Sequence, residues 1–251
     1  QRGLEVAANA NFVGDGGHID IEQAEDASSY VSNSGWTVLQ QRGGLLIQAA
    51  GMTILLSVVA MPLAIAIGLM MTLLRLYGPR YLAIPATTYV ELVRGTPLVL
   101  QLYVIFFLLP EIGLSISAFW AAVAGLAINY SAYEAEIYRA GLLAIPKGQM
   151  EAALSLGMTR NMALRRVMIP QATRLVIPPV TNDFIALFKD TAVCSVITVV
   201  ELSKQYYIQA RSTGAIIELG LLTALLYLAM SYPLSLVASR LEKRLNQERQ
   251  G

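Results

Sequence analysis

Acids, amides and phenols set inside otherwise apolar sequence are the residues of this chain with chemistry to offer. Asn129, Tyr133 and Glu136 recur at i, i+4 and i+7, so a helix sets them on one face, and Glu136 can pair with Arg139 at i+3. Glu91 and Arg94 share that i, i+3 spacing in a second apolar stretch, and Asp183 follows the Pro178-Pro179 pair in a third. An ionised group at hydrocarbon depth costs about 2.5–3.5 kcal/mol on insertion scales, so it faces a partner or a wet cavity. Two readings are open. Either Asn129, Tyr133, Glu136 and Asp183 line a polar cavity in which a carboxylate meets an ammonium group, or Glu91–Arg94 and Glu136–Arg139 are ion pairs near span ends, where water is close. The ion-pair reading is the stronger for those two pairs; Asn129, Tyr133 and Asp183 are open to either. A break at Pro178-Pro179 would free backbone carbonyls beside Asp183. Glu134 stands where an apolar residue is expected, as a feature of this chain or as a residue facing a dimer partner.

Covalent chemistry has little equipment here. The chain has one cysteine, Cys194, and one histidine, His18, which excludes a disulfide framework and a Cys/His metal cluster. Cys194 reads as a small packed side chain and His18, in a glycine-rich segment, as solvated. There is no Gly-x-Ser-x-Gly elbow, no His-Glu-x-x-His pair and no Gly-x-x-x-x-Gly-Lys-Ser/Thr phosphate loop, so neither an enzyme nor a self-contained ATPase is expected, and no cofactor is expected in the chain itself.

The elements that carry these residues follow from composition. Of 251 residues, 55% are apolar and 14% charged, against roughly 25% charged in soluble domains. The net charge of +1 hides a sharp segregation. Residues 1–42 are polar and acidic; Gly43 to Leu74 has no charge at all, more than enough to cross about 30 Å of hydrocarbon at 1.5 Å per residue. The expected architecture is all-α and integral to the membrane, with five spans near 45–74, 81–109, 113–140, 172–198 and 216–239, the fourth irregular, followed by a basic tail over 241–251. The reading leaves room for residues ahead of Gln1, which would change the span count but not the side on which each loop lies.

Lys and Arg set the orientation, because positive loops stay cytoplasmic. Five spans place Arg75 and Arg80, the six basic residues from Arg139 to Arg174, and Arg240, Lys243, Arg244 and Arg249 on one side, against Arg2, Arg42, Lys204 and Arg211 on the other. The expected N-terminus is therefore outside and the C-terminus cytoplasmic.

The loop over 145–170 is the most informative segment. Pro146 and Gly148 stop the preceding helix, residues 149–156 suit a short helix with Glu151 in its first turn, and Gly157 can take a positive φ before a second short helix ending at Pro170. The product is a cytoplasmic knob with an apolar side, Ala152, Ala153 and Leu156, suited to a groove on a partner. In this loop Glu151-Ala152-Ala153, Gly157 and Val167-Met168-Ile169-Pro170 are spaced as in the Glu-Ala-Ala signature of the permease subunits of ABC importers, with Val and Ile as conservative departures. Tyr89 to Leu98 with Gln101, Ala135 to Gly141, Ile145 to Gln149, Ile169 to Ala172 and Phe188 to Thr191 resemble the polar amino acid branch of that family, the histidine, glutamine and arginine type; Ala192-Val193 departs from its usual Ser-Leu. The resemblance covers about residues 43–240. It implies a type I ABC importer permease domain in a bacterial inner membrane, in which Glu151, Ala152, Ala153, Leu156, Gly157 and Arg160 couple to an ATPase. It also implies a second permease subunit, identical or homologous, two ATP-binding subunits that hold ATP and Mg, an extracytoplasmic substrate-binding protein and an amino acid as substrate, with no nucleic acid involved. A secondary transporter or channel would account for the spans and the buried charges, but not for this loop, and no inverted repeat is visible in the hydropathy. A scaffold subunit of a heterodimeric permease is the other alternative.

Overall fold

The computed structural model describes residues 35–247, with side chains to Lys243. Residues 1–34 of the expected acidic segment, His18 among them, and the end of the basic tail lie outside the described residues. Every regular element among them is helical. The first helix among the described residues, α1 (Gly35–Tyr77), covers the eight residues before the charge-free stretch, with Arg42 exposed. A helix satisfies its own backbone, so it continues into polar surroundings without cost to its hydrogen bonds.

α1 packs most extensively against α5 (Ala118–Leu143). The contact is built from small residues: Thr53, Ser57, Ala60, Ala64, Gly68 and Thr72 are buried on α1, and Ala121, Ala122, Ser131, Ala132 and Ala135 on α5. Spacings of three and four on both helices bring the backbones close, the usual solution where hydrocarbon supplies no drive to bury large side chains. The Ser57 and Thr72 hydroxyls donate to carbonyls four residues back on their own helix, and Thr72 also reaches across to the Ala135 carbonyl at 2.8 Å. Large apolar residues such as Leu55, Leu63, Leu69 and Leu73 on α1 are exposed, as a lipid-facing surface requires.

α2 (Arg80–Arg94) and α3 (Leu98–Tyr103), which runs through a π-turn (Val104–Leu108) into the short α4 (Leu109–Glu111), form a pair bent by 108°. A single span over 81–109 was expected; Pro97 breaks it, because it has no N–H for the Val93 carbonyl. The Gln101 side-chain amide supplies the missing donor at 2.9 Å and also donates to the Thr96 carbonyl at 3.1 Å, so the bend is braced.

After α5 come α6 (Lys147–Ser155), α7 (Arg160–Ala163), a second π-turn (Leu164–Met168) and α8 (Ile169–Asp190). The second short helix does not end at Pro170, as expected. It widens by a π-turn containing Arg166, whose carbonyl a proline at 170 would otherwise crowd, and continues as α8; Phe106 stands in the same relation to Pro110 in the first π-turn. Nor do Pro178 and Pro179 break α8, which runs through both. The irregular stretch comes later, as a 3₁₀ segment over Thr191–Ile197, followed by α9 (Leu202–Thr213) and α10 (Ile216–Gln247).

Among the described residues, two helices can cross a membrane by length and composition, α1 and α10 over Ile216–Lys243, or three if the bent pair counts as one span. The five expected spans are thus not matched by apolarity alone. α5 is enclosed by α1, α2, α3 and α8, so its faces need not be lipophilic, and it carries Asn129, Ser131, Glu134 and Glu136. The main core joins Leu56 and Met61 of α1, Leu102 of α3, Leu126 of α5, and Leu187, Cys194 and Ile197, while a second cluster ties Val38 and Leu46 to Leu202 and Leu219.

Candidate functional site

Two regions hold the residues singled out above. The first is the knob. α6 starts at Lys147, so Glu151 falls in its second turn and not its first, and the helix-dipole argument for that carboxylate does not apply. Gly157 takes φ +79°, the left-handed conformation that an L side chain adopts only with strain, and a Cβ there would meet nothing within 4 Å. Thr159 then caps α7, its hydroxyl oxygen accepting from the Met162 N–H at 3.3 Å. Ala153 is buried, whereas Glu151, Ala152, Gly157 and Arg160 are exposed and Leu156 is 80% exposed.

The second region is the polar edge of α5. Asn129 is buried and donates to Gln101 Oε1 at 3.2 Å, so it braces the α2–α3 bend. Tyr133 is 41% exposed with the Arg94 guanidinium 5.8 Å above its ring. Glu136 is held by Arg139, at 2.8 Å to one oxygen, and by Arg75 of α1 on the other. The expected Glu136–Arg139 pair is present; the expected Glu91–Arg94 pair is not. Glu91 faces Arg75 at 3.8 Å, and Arg94 turns to Tyr133. Asp183, half-buried on α8, lies within electrostatic reach of Glu134, Tyr130 and Tyr138. Tyr130 donates to Asp190 at 2.8 Å, closing the far end of this seam. An apolar cleft of about 310 Å³ between α1 and α8, lined by Val58, Met61, Pro62, Ile65, Val180, Thr181 and Phe184, takes none of these residues into its wall.

Three residues with evident roles were not singled out from sequence. Arg75 looked like one of many cytoplasmic positive charges. The buried Glu201 carboxylate caps α9, accepting from the Ser203 and Lys204 N–H groups at 2.8 and 2.7 Å and from the Tyr227 hydroxyl at 3.1 Å. Burial pushes its pKa up, against the pull of those donors. Gly68 sits against Glu134, which is fully buried inside the protomer and so does not face a dimer partner. Neither Glu134 oxygen has a partner of normal geometry; the Tyr138 hydroxyl approaches without reaching it.

Residues 60–247, the knob and polar edge included, match the family described as the binding-protein-dependent transport system inner membrane component. The chain belongs to this family. The permease is 38% identical to the L-cystine transport system permease protein of Bacillus subtilis, over 86% of this chain and 90% of that one. It is 37% identical to the glutamine transport system permease protein of Escherichia coli K12, over 84% and 97% of the two chains. Among solved structures, it overlays the crystal structure of an amino acid ABC transporter with histidines at a TM-score of 0.77 and 39% identity, covering 82% of this chain and 96% of that one. An inward-facing MetNI methionine ABC transporter, at 22% identity and a TM-score of 0.67, shares the fold over 80% of this permease and 96% of that chain. The architecture is that of a type I ABC importer permease, and membership in the family makes the chain a non-catalytic membrane subunit that works with an ATPase and a binding protein.

Proposed function

We propose that the chain moves an amino acid across the inner membrane, with ATP and Mg bound and hydrolysed on two separate subunits that dock on the α6–α7 knob. The observation that carries the coupling assignment is the exposed Leu156 next to the left-handed Gly157, at the end of a helix rooted directly in α5. In this reading Glu151, Ala152, Leu156, Gly157 and Arg160 meet the ATPase, and Ala153 holds the knob together from inside. Cystine, glutamine and arginine name the transport systems of the relatives, which supports a polar amino acid as substrate. A second permease subunit completes the membrane unit, an external binding protein delivers the substrate, the N-terminus lies outside and the C-terminus in the cytoplasm.

For the substrate path, Tyr133 and Asp183 are the candidates with capacity to spare. Asn129 and Glu136 already have their polar groups engaged by Gln101 and by two arginines.

The test is ATP hydrolysis in proteoliposomes containing the permease, its ATPase and its binding protein, wild type against Gly157→Glu, with a panel of amino acids. Stimulation of the wild type by one amino acid, lost in a folded and assembled Gly157→Glu, is the expected result. A mutant stimulated like wild type moves the ATPase contact elsewhere.

A further inference from the structure

Arg75 is set two residues before the end of α1 and its side chain is only 10% exposed. Its guanidinium faces carboxylates of two other helices: one nitrogen binds Glu136 Oε1 of α5, and the other stands 3.8 Å from Glu91 Oε1 of α2. The remaining side of Glu136 belongs to Arg139, whose Nε lies 3.1 and 3.2 Å from its two oxygens and whose Nη2 lies 2.8 Å from Oε2. Two arginines and two glutamates thus form a cluster with no net formal charge. Within it Glu136 is engaged on both oxygens, while the Glu91 side chain stays 62% exposed.

The same three helices are tied again one or two turns away. Thr72 of α1 donates to the Ala135 carbonyl of α5 at 2.8 Å, and the Tyr89 hydroxyl of α2 lies 2.6 Å from Ser131 Oγ of α5. Val90 of α2 packs with Ala132 and Ala135 of α5 between these ties. α5 ends at Leu143, and only Ala144, Ile145 and Pro146 separate it from the knob helix α6; Ile145 in that link is buried. The knob is therefore rooted on the helix that the cluster binds.

We propose that Arg75 is the positioning residue for energy coupling: it makes the inner ends of α1, α2 and α5 one rigid body, so that a displacement of the knob is delivered to all three helices together. This rests on the knob being the ATPase contact. A planar fork with donors on two edges spans two carboxylates from different helices, which a lysine ammonium on its single flexible stem does not do. Beyond Gly95 the chain turns by 108° into α3, which packs on α5 as well as on the 3₁₀ segment over Thr191–Ile197.

The experiment compares Arg75→Gln and Arg75→Lys with wild type and Gly157→Glu in the reconstituted transporter, measuring basal hydrolysis, substrate-stimulated hydrolysis and ATP consumed per substrate moved. Arg75→Gln is expected to keep basal hydrolysis while losing stimulation by about fivefold or more, the lower range of ordinary coupling between sites. Arg75→Lys is expected to fall between, with more ATP consumed per substrate than wild type. If Arg75→Gln does not assemble, Arg75→Lys carries the test. A wild-type ATP-to-substrate ratio in either Arg75→Gln or Arg75→Lys overturns the proposal. Wild-type behaviour of Gly157→Glu with a defect in Arg75→Gln instead removes the knob contact on which it rests.

Discussion

Substitution of Gly68 by alanine probes the α1–α5 seam directly. A Cβ at residue 68 would stand 2.7 Å from Glu134 Cβ, 2.8 Å from the Ser131 carbonyl oxygen and 3.1 Å from the Ala135 nitrogen. Non-bonded carbons rest at about 3.5–4.0 Å, so the helices must separate by roughly 0.8–1.3 Å. Two of the three atoms are backbone and cannot rotate away. Forced overpacking costs about 1–3 kcal/mol. The separation also stretches the Thr72 bond to Ala135, worth about 1 kcal/mol. Alanine's better helix propensity returns about 1 kcal/mol, leaving a net loss of about 1–3 kcal/mol. At roughly 2–4 °C per kcal/mol for a chain of this size, the melting temperature should fall by about 2–12 °C. Thermal unfolding in detergent, followed by fluorescence-detected size exclusion, reads it. Gly44→Ala and Gly51→Ala are the controls, since a Cβ at either meets nothing within 4 Å. Their melting temperatures should hold or rise. A Gly68→Ala protein that melts with these controls refutes the close seam.

Gln101→Leu removes the donor that stands in for Pro97 and strands the buried Asn129 amide, at about 1–3 kcal/mol. Combined with Asn129→Ala the loss should be smaller than the sum of the two singles by at least about 0.5 kcal/mol, and strict additivity in a thermal-unfolding cycle would sink the bracing role. For Glu201, whose ordinary pKa of 4.5 is raised by burial, the folded protein keeps a proton that the unfolded chain has released. Stability is therefore highest at and below pH 4.5 as far as this group is concerned, and falls as pH rises from there through the raised value. Glu201→Gln, which keeps an acceptor for the α9 cap, should flatten that part of the melting-temperature profile; an unchanged slope assigns it to another group.

Much of the permease was legible in order along the chain. Alternating charge-free and basic segments carried the helical membrane class, and the spacing from Glu151 to Pro170 carried the family, because both depend on local chemistry: hydropathy per residue, and glycine at a turn that needs φ +79°. What failed were inferences that needed a neighbour. Asn129, Tyr133 and Glu136 share one face, as the spacing required, but whether that face is a cavity depends on what α1 and α2 bring to it.

The i, i+3 rule paired Glu91 with Arg94 because only contacts along one helix are visible in sequence. In three dimensions Arg75, sixteen residues before Glu91 and sixty-one before Glu136, reaches both. Prolines misled in both directions for a related reason. Pro97 forced a bend that Gln101 then had to satisfy, whereas Pro170 follows a π-turn and Pro178 and Pro179 sit inside α8 without breaking it. Sequence by itself determined the helical class, the family and the knob's turn at Gly157, since these are set by short-range preferences. Only the tertiary structure decided which charges meet and how closely α1 and α5 approach, because those depend on side chains brought together from distant parts of the chain.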